Sequence, residues 1–182
     1  NVLTWFGRCM DQLAGILLNP LIIVVFARSL DADPTRISWF LGVFGLGWAA
    51  GFAIAPILQK MTDRVMPWIV GGYLLRTASV VLLAYAVSER SATTEQRFRS
   101  ALICYGAYAV ATGIARSSQA RHVVHGTAHG LWDVAAPFTA LATQTILAIG
   151  ALILWTTLSV AELPWSQAFG RIWYLAAVAL GI

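Results

Sequence analysis

The chain has 182 residues, 59% of them hydrophobic and only 11% charged, with a mean hydropathy of +0.73. Soluble domains carry about 25% charged residues, so this composition excludes a water-facing surface of normal polarity and indicates an integral membrane protein. The net charge of +4 does not make a nucleic-acid binder, because the twelve Lys and Arg are scattered through short loops instead of gathered on one face.

Segment 1, Trp5–Ala27, is an apolar helix carrying Arg8, Asp11, Gln12 and Asn19, with Pro20 in its middle. A proline there removes one backbone hydrogen bond and frees a carbonyl one turn earlier. In lipid that is tolerated only where neighbours or a wet cavity satisfy the backbone. Arg8, Asp11, Gly15 and Asn19 follow spacings of three, four and four, which puts them on one helical face.

The polar loop Arg28–Arg36 contains the turn signal Asp33-Pro34. Segment 2, Ile37–Leu58, has no charge, and its Gly47, Gly51 and Ala55 form a smooth stripe that lets another helix approach. An elbow, Gln59–Met66, holds Lys60, Asp63 and Arg64 at the membrane surface. Segment 3, Trp68–Val87, returns with Arg76 near its centre. Segments 2 and 3 read as a membrane hairpin, and the other segments read as repetitions of it.

The solvated loop Ser88–Arg99 leads to segment 4, Ser100–Ala115. There Ala107, Ala111 and Ala115 make one small-residue stripe, and Ala109 with Gly113 a second beside it. A loop at Arg116–Gly130 holds His122, His125 and His129. Segment 5, Leu131–Val160, carries Gln144 between two threonines. Segment 6, Ile172–Ile182, is short of a full span unless it begins near Trp165. Asn1 is no initiator methionine and Ile182 falls inside an apolar run, so the expectation is a piece of a longer protein. The predicted fold is all-α: one polytopic membrane bundle over residues 1–182, with six transmembrane helices and the last truncated. Unbroken apolar runs, not period-two alternation, exclude a β-barrel.

The elbow with Asp63-Arg64 between two apolar segments resembles the major facilitator superfamily of transporters, whose elbow signature is G-x-x-x-D-R-x-G-R-[RK]. Asp63 and Arg64 match it, while Gln59, Met66, Pro67 and Trp68 stand where the glycines and basic pair belong. DQLAGILLNP in segment 1, LGWAAG in segment 2, Arg76 in segment 3 and GIARSSQARHVVHGTAHG after segment 4 occupy matching places in helix order. The resemblance implies the N-terminal six-helix half of a twelve-helix transporter in a bacterial cytoplasmic (inner) membrane. It also implies a solute path facing a missing C-terminal half or partner subunit, and both chain ends on the inner side. Lys and Arg in the loops, five inside against six outside, give that orientation no support from the positive-inside rule.

Charges inside a membrane helix cost ~2.5–3.5 kcal/mol each, which makes them functional candidates. Arg8, Asp11, Asn19, Arg76 and Gln144 are the candidates for a substrate or ion path. Asp11 is the coupling carboxylate, Asn19 a hydrogen-bonding contact and Arg76 a partner for Asp11 or Asp63. The alternatives are an interfacial Arg8–Asp11 pair, a purely structural Arg76 and unspecific helix bonding by Gln144. Asp63 and Arg64 resemble the family's gating pair. The histidines follow i, i+3, i+7 but lie in the expected loop, with Arg116 and Arg121 beside them on a cytoplasmic surface. No cysteine or carboxylate is spaced to complete a metal site. Cys9 and Cys104 indicate no disulfide framework. Trp5, Trp39, Trp68, Trp165 and Trp173 near segment ends read as an interfacial belt. No nucleophile grouping or phosphate loop points to an enzyme, and no cofactor is expected. The leading reading is a secondary transporter, or half of one, moving a small solute. The alternative is a non-transporting membrane scaffold or a pigment-binding subunit.

Overall fold

The computed structural model describes residues 11, 13–62, 64, 66–89, 91–126 and 165–181. Among the described residues every regular element is an α-helix: α1 (Pro20–Ser29), α2 (Pro34–Thr62), α3 (Met66–Ser88), α4 (Thr94–Gly126) and α5 (Trp165–Gly181). Three stretches, Pro34–Met61, Met66–Ser88 and Thr94–Ser118, are long and apolar enough to cross a membrane. At ~1.5 Å per residue even the shortest exceeds the ~30 Å hydrocarbon core. Segment 5, and with it the count of six spans, lies outside the described residues.

Segment 1 is broken where one apolar helix through Pro20 is expected. Helical residues 13–17 stop at Leu18, and Asn19 starts α1 as its N-cap with Pro20 in the first turn. Pro20 has no N–H to give the Ile16 carbonyl, and the Asn19 N–H takes that carbonyl instead at 3.1 Å. The Asn19 side chain accepts from the Leu21 N–H at 2.9 Å. The Leu18 carbonyl receives the Tyr105 hydroxyl of α4 at 3.2 Å. The Ile16 and Leu18 carbonyls at the break are thus satisfied locally and from the neighbouring helix, as a lipid environment requires.

Helix starts explain why the polar connections are shorter than their composition suggests. Asp33 caps α2 by accepting from the Arg36 N–H at 2.7 Å, with Pro34 as the first helical residue. Thr93 and Gln96 bond reciprocally as a capping box, so α4 begins at Thr94, inside the expected loop. At its other end α4 runs on to Gly126, which makes Arg116–Gly126 helix, not loop. α2 likewise continues through Gln59 to Thr62. Gln59 belongs to the bundle, not the elbow, and donates to Ser118 in a buried bond of 2.8 Å. Segment 6 begins at Trp165, the longer of the two alternatives.

The two arms of the expected hairpin do not pack on each other. α2 and α3 scarcely touch, and α4 lies between them, packed along both; α5 packs on the other side of α3. Small residues explain this insertion. Gly47 and Gly51 of α2 face Gly106, Ala109, Val110 and Gly113 of α4, and Gly72 of α3 faces Ala115 of α4. The backbones approach closely because no side chain holds them apart. Of the stripe expected on α4, Ala111 and Ala115 are buried and Ala107 is exposed.

An aromatic chain fills the other end of the bundle. Phe26 of α1 meets Phe40 of α2 and Phe169 and Trp173 of α5, with the Trp173 ring centroid 4.9 Å away. Phe40 continues to Phe98 and Tyr105 of α4. Trp173 is fully buried in this cluster, so it belongs to the core and not to an interfacial belt. Its indole is held by edge contacts that reward geometry as well as burial.

The close approach of α2 and α4 is testable at one glycine. A Cβ on Gly51 meets the Val110 carbonyl and lies 2.9 Å from the Gly113 Cα, all of it backbone. Gly51→Ala is expected to cost about 1–3 kcal/mol, read as a lower thermal midpoint in detergent. Gly42→Ala, with nothing within 4 Å of its added Cβ, leaves that midpoint unchanged or raises it.

Candidate functional site

Three ionisable side chains from three helical stretches meet inside the bundle. Asp11 is 6% exposed and sits between two arginines. Arg76, halfway along α3 and 1% exposed, places Nη1 2.7 Å from Asp11 Oδ1. That contact is a close ion pair without the alignment of a hydrogen bond. Arg116 of α4 donates from Nη2 to Asp11 Oδ2 at 2.6 Å across a sequence separation of 105 residues. Its side chain is 43% exposed, so one arginine is sealed in the bundle and the other reaches its edge.

Aromatic faces surround the sealed arginine. The Arg76 guanidinium carbon lies 5.0 Å from the Tyr73 ring centroid and 5.6 Å from that of Tyr108. Both rings offer their negative faces to a cation that is almost entirely buried. Arg76 Nε is buried and has no hydrogen-bond partner among the described residues.

The ion pairs form one wall of a cavity of about 420 Å³. Gly15 and Asn19 lie on it with Asp11, followed by Pro20 at the helix break. Phe44 and Trp48 of α2 form an apolar side, and Tyr108, Thr112 and Arg116 of α4 close the third. The volume is at the lower end of the ~300–1,000 Å³ typical of ligand pockets, and the lining has the usual make-up of apolar walls with a few convergent polar groups.

Of the residues expected on a solute path, Asp11, Asn19 and Arg76 stand on this cavity. Arg76 pairs with Asp11, one of the two partners expected for it. Arg8, Asp63, Gln144 and His129 lie outside the described residues. Arg64 is exposed in the short connection between α2 and α3. His122 and His125 are in α4, contrary to the loop expected for them. Arg116, expected in the loop after segment 4, is in α4 and is a member of the site. Its signal was present: Tyr108, Thr112 and Arg116 follow one another at intervals of four, one face of a helix if the helix does not stop at Ala115. Comparison with family models, with curated proteins and with solved structures finds no match for this chain.

Removing one partner of a buried pair leaves the other as an uncompensated buried charge, at about 3–5 kcal/mol. Asp11→Asn is therefore expected to destabilise the bundle by about that amount in thermal unfolding. Adding Arg76→Gln to Asp11→Asn restores part of the loss, because the two groups share one interaction. Additive losses would show that the pair carries no coupling.

Proposed function

We propose that this bundle is one wall of a secondary transporter, moving a small solute by alternating access. The observation that carries the reading is the junction of a buried, doubly ion-paired carboxylate, a broken helix and a cavity of ligand size. Each is costly in a membrane. Asp11, Arg76 and Arg116 would be cheaper to replace with apolar residues if stability were their only role. A discontinuous helix at a midplane cavity is the arrangement in which transporters place their binding sites.

In this reading Asp11 is the coupling group. A proton or a cation on its carboxylate weakens both ion pairs at once, so the charge state of one residue alters the ties among segment 1, α3 and α4. A two-state rearrangement needs such a differential contact. Asn19 and Thr112 offer hydrogen bonds to the solute, and Phe44 and Trp48 offer apolar contact. The resemblance of the Asp63-Arg64 elbow to that of major facilitator transporters supports a gating role at the ends of α2 and α3. It also supports a six-helix half in a bacterial inner membrane, completed by a second half.

The purified chain, together with any second half, is reconstituted in liposomes and assayed for counterflow of labelled solutes. Wild-type protein exchanges solute, and Asp11→Asn keeps exchange while losing uphill accumulation driven by an ion gradient. Absence of exchange across cationic, neutral and anionic solutes sinks the transport reading. Uphill accumulation that survives Asp11→Asn sinks the coupling role.

A further inference from the structure

We infer that the cavity selects a small monoanionic carboxylate with an apolar or aromatic body. The inference rests on the transport reading for its physiological meaning, but its argument is the charge balance of the site. Among the described residues, the ionisable groups facing the cavity are Asp11, Arg76, Arg116 and the phenol of Tyr108. With Tyr108 neutral, one carboxylate stands against two guanidiniums, and the described lining holds one positive charge in excess.

An excess charge beside lipid attracts one counter-charge strongly, because the surrounding dielectric is low. The arginines also have donors to spare. A guanidinium has five N–H groups in a fork that matches a carboxylate. Arg116 uses Nη2 on Asp11 and is 43% exposed, so it can turn toward a second anion. Arg76 lines the same cavity, with a buried Nε that no described residue accepts from.

The helix break does not supply the donors. The Leu21 N–H goes to the Asn19 side chain, and the Ile22 and Ile23 N–H groups go to the Asn19 carbonyl. Recognition therefore falls to the arginines, since the Thr112 hydroxyl donates to the Tyr108 carbonyl at 2.7 Å. Phe44, Trp48 and Tyr108 give the body of the solute an aromatic wall. A carboxylate on a flat apolar body fits both halves of this lining, whereas a cation meets the excess positive charge.

The test uses the full chain purified in a neutral, phosphate-free maltoside detergent. Thermal midpoints are measured with benzoate, benzyl alcohol and benzylammonium at matched ionic strength. Benzoate is expected to raise the midpoint in a saturable manner, and the other two are not. Arg116→Gln weakens the benzoate effect about tenfold or more, Arg116→Lys retains part of it, and Arg28→Gln leaves it intact. Trp48 gives a second readout that needs no arginine variant. Nitrobenzoate quenches tryptophan fluorescence, and Trp48→Phe removes the saturable part.

Equal protection by all three probes overturns the inference, as does benzoate protection that survives Arg116→Gln. Protection by phosphatidylglycerol but not by benzoate assigns the site to a lipid headgroup and also overturns it. Liposome counterflow separates the two levels. Exchange of a cationic solute without benzoate protection removes the carboxylate and leaves transport standing. Benzoate protection without counterflow keeps the carboxylate site and removes transport.

Discussion

One carboxylate bridging two guanidiniums fixes how this bundle is assembled. Asp11 comes from the chain's first segment, Arg76 from α3 and Arg116 from α4, so the contact ties three helical stretches at a single point. In water such a tie contributes little, because solvent screens it and competes for its donors. Here Arg76 is sealed from solvent, and each group depends on the others for the charge compensation that a bilayer does not give. The register of α3 against α4 is constrained accordingly: a slip of one turn would bury Arg76 without Asp11.

That constraint can act only because the helices approach closely. Gly47 and Gly51 set α2 on α4, and Gly72 sets α3 on the Ala115 side of the same helix. Ala115 is the immediate neighbour of Arg116, so the close packing of α3 and the ion pair of α4 are adjacent along one helix. Small residues and charges have complementary roles at this point. The glycines and alanines bring the backbones together without specifying a register in depth, and the ion pairs specify it. Lipid alone drives neither, since apolar side chains gain little by leaving acyl chains for one another.

The all-helical architecture, the apolar spans and the small-residue stripes were legible in the sequence because each depends on local pattern. Gly47, Gly51, Ala109 and Gly113 could be read as contact faces before any partner was known. Asp11 and Asn19 could be placed on one face by spacing alone. The Arg28–Arg36 and Ser88–Arg99 stretches were harder, because polar composition resembles a loop until the caps at Asp33 and Thr93 are recognised. Arg116 was misplaced for a related reason. The run from Arg116 to Gly126 is polar and contains glycine, features that end a helix by propensity, but α4 continues through it. The break at Leu18 and Asn19 was legible as a proline problem. Its solution was not, since the Tyr105 hydroxyl that serves the Leu18 carbonyl comes from 87 residues away.

The same remoteness bears on how the cavity persists. A pocket beside a broken helix would collapse if the freed backbone groups had to seek partners across it. Instead Asn19 serves Ile16 and Leu21 within one turn, and Tyr105 serves Leu18 from the aromatic side. Tyr105 is itself fixed between Phe40, Phe44 and Tyr108, with ring centroids 5.3–6.2 Å away. The aromatic chain that begins at Trp173 thus ends on the ring that stands over Arg76. Core packing at one end of the bundle positions the walls of the charged cavity at the other. With the Ile16 and Leu18 carbonyls satisfied, the break leaves the unspent hydrogen-bonding capacity of the site chiefly on two arginines and the Asn19 amide. These are side chains, free to exchange one partner for another without unravelling the helices that carry them.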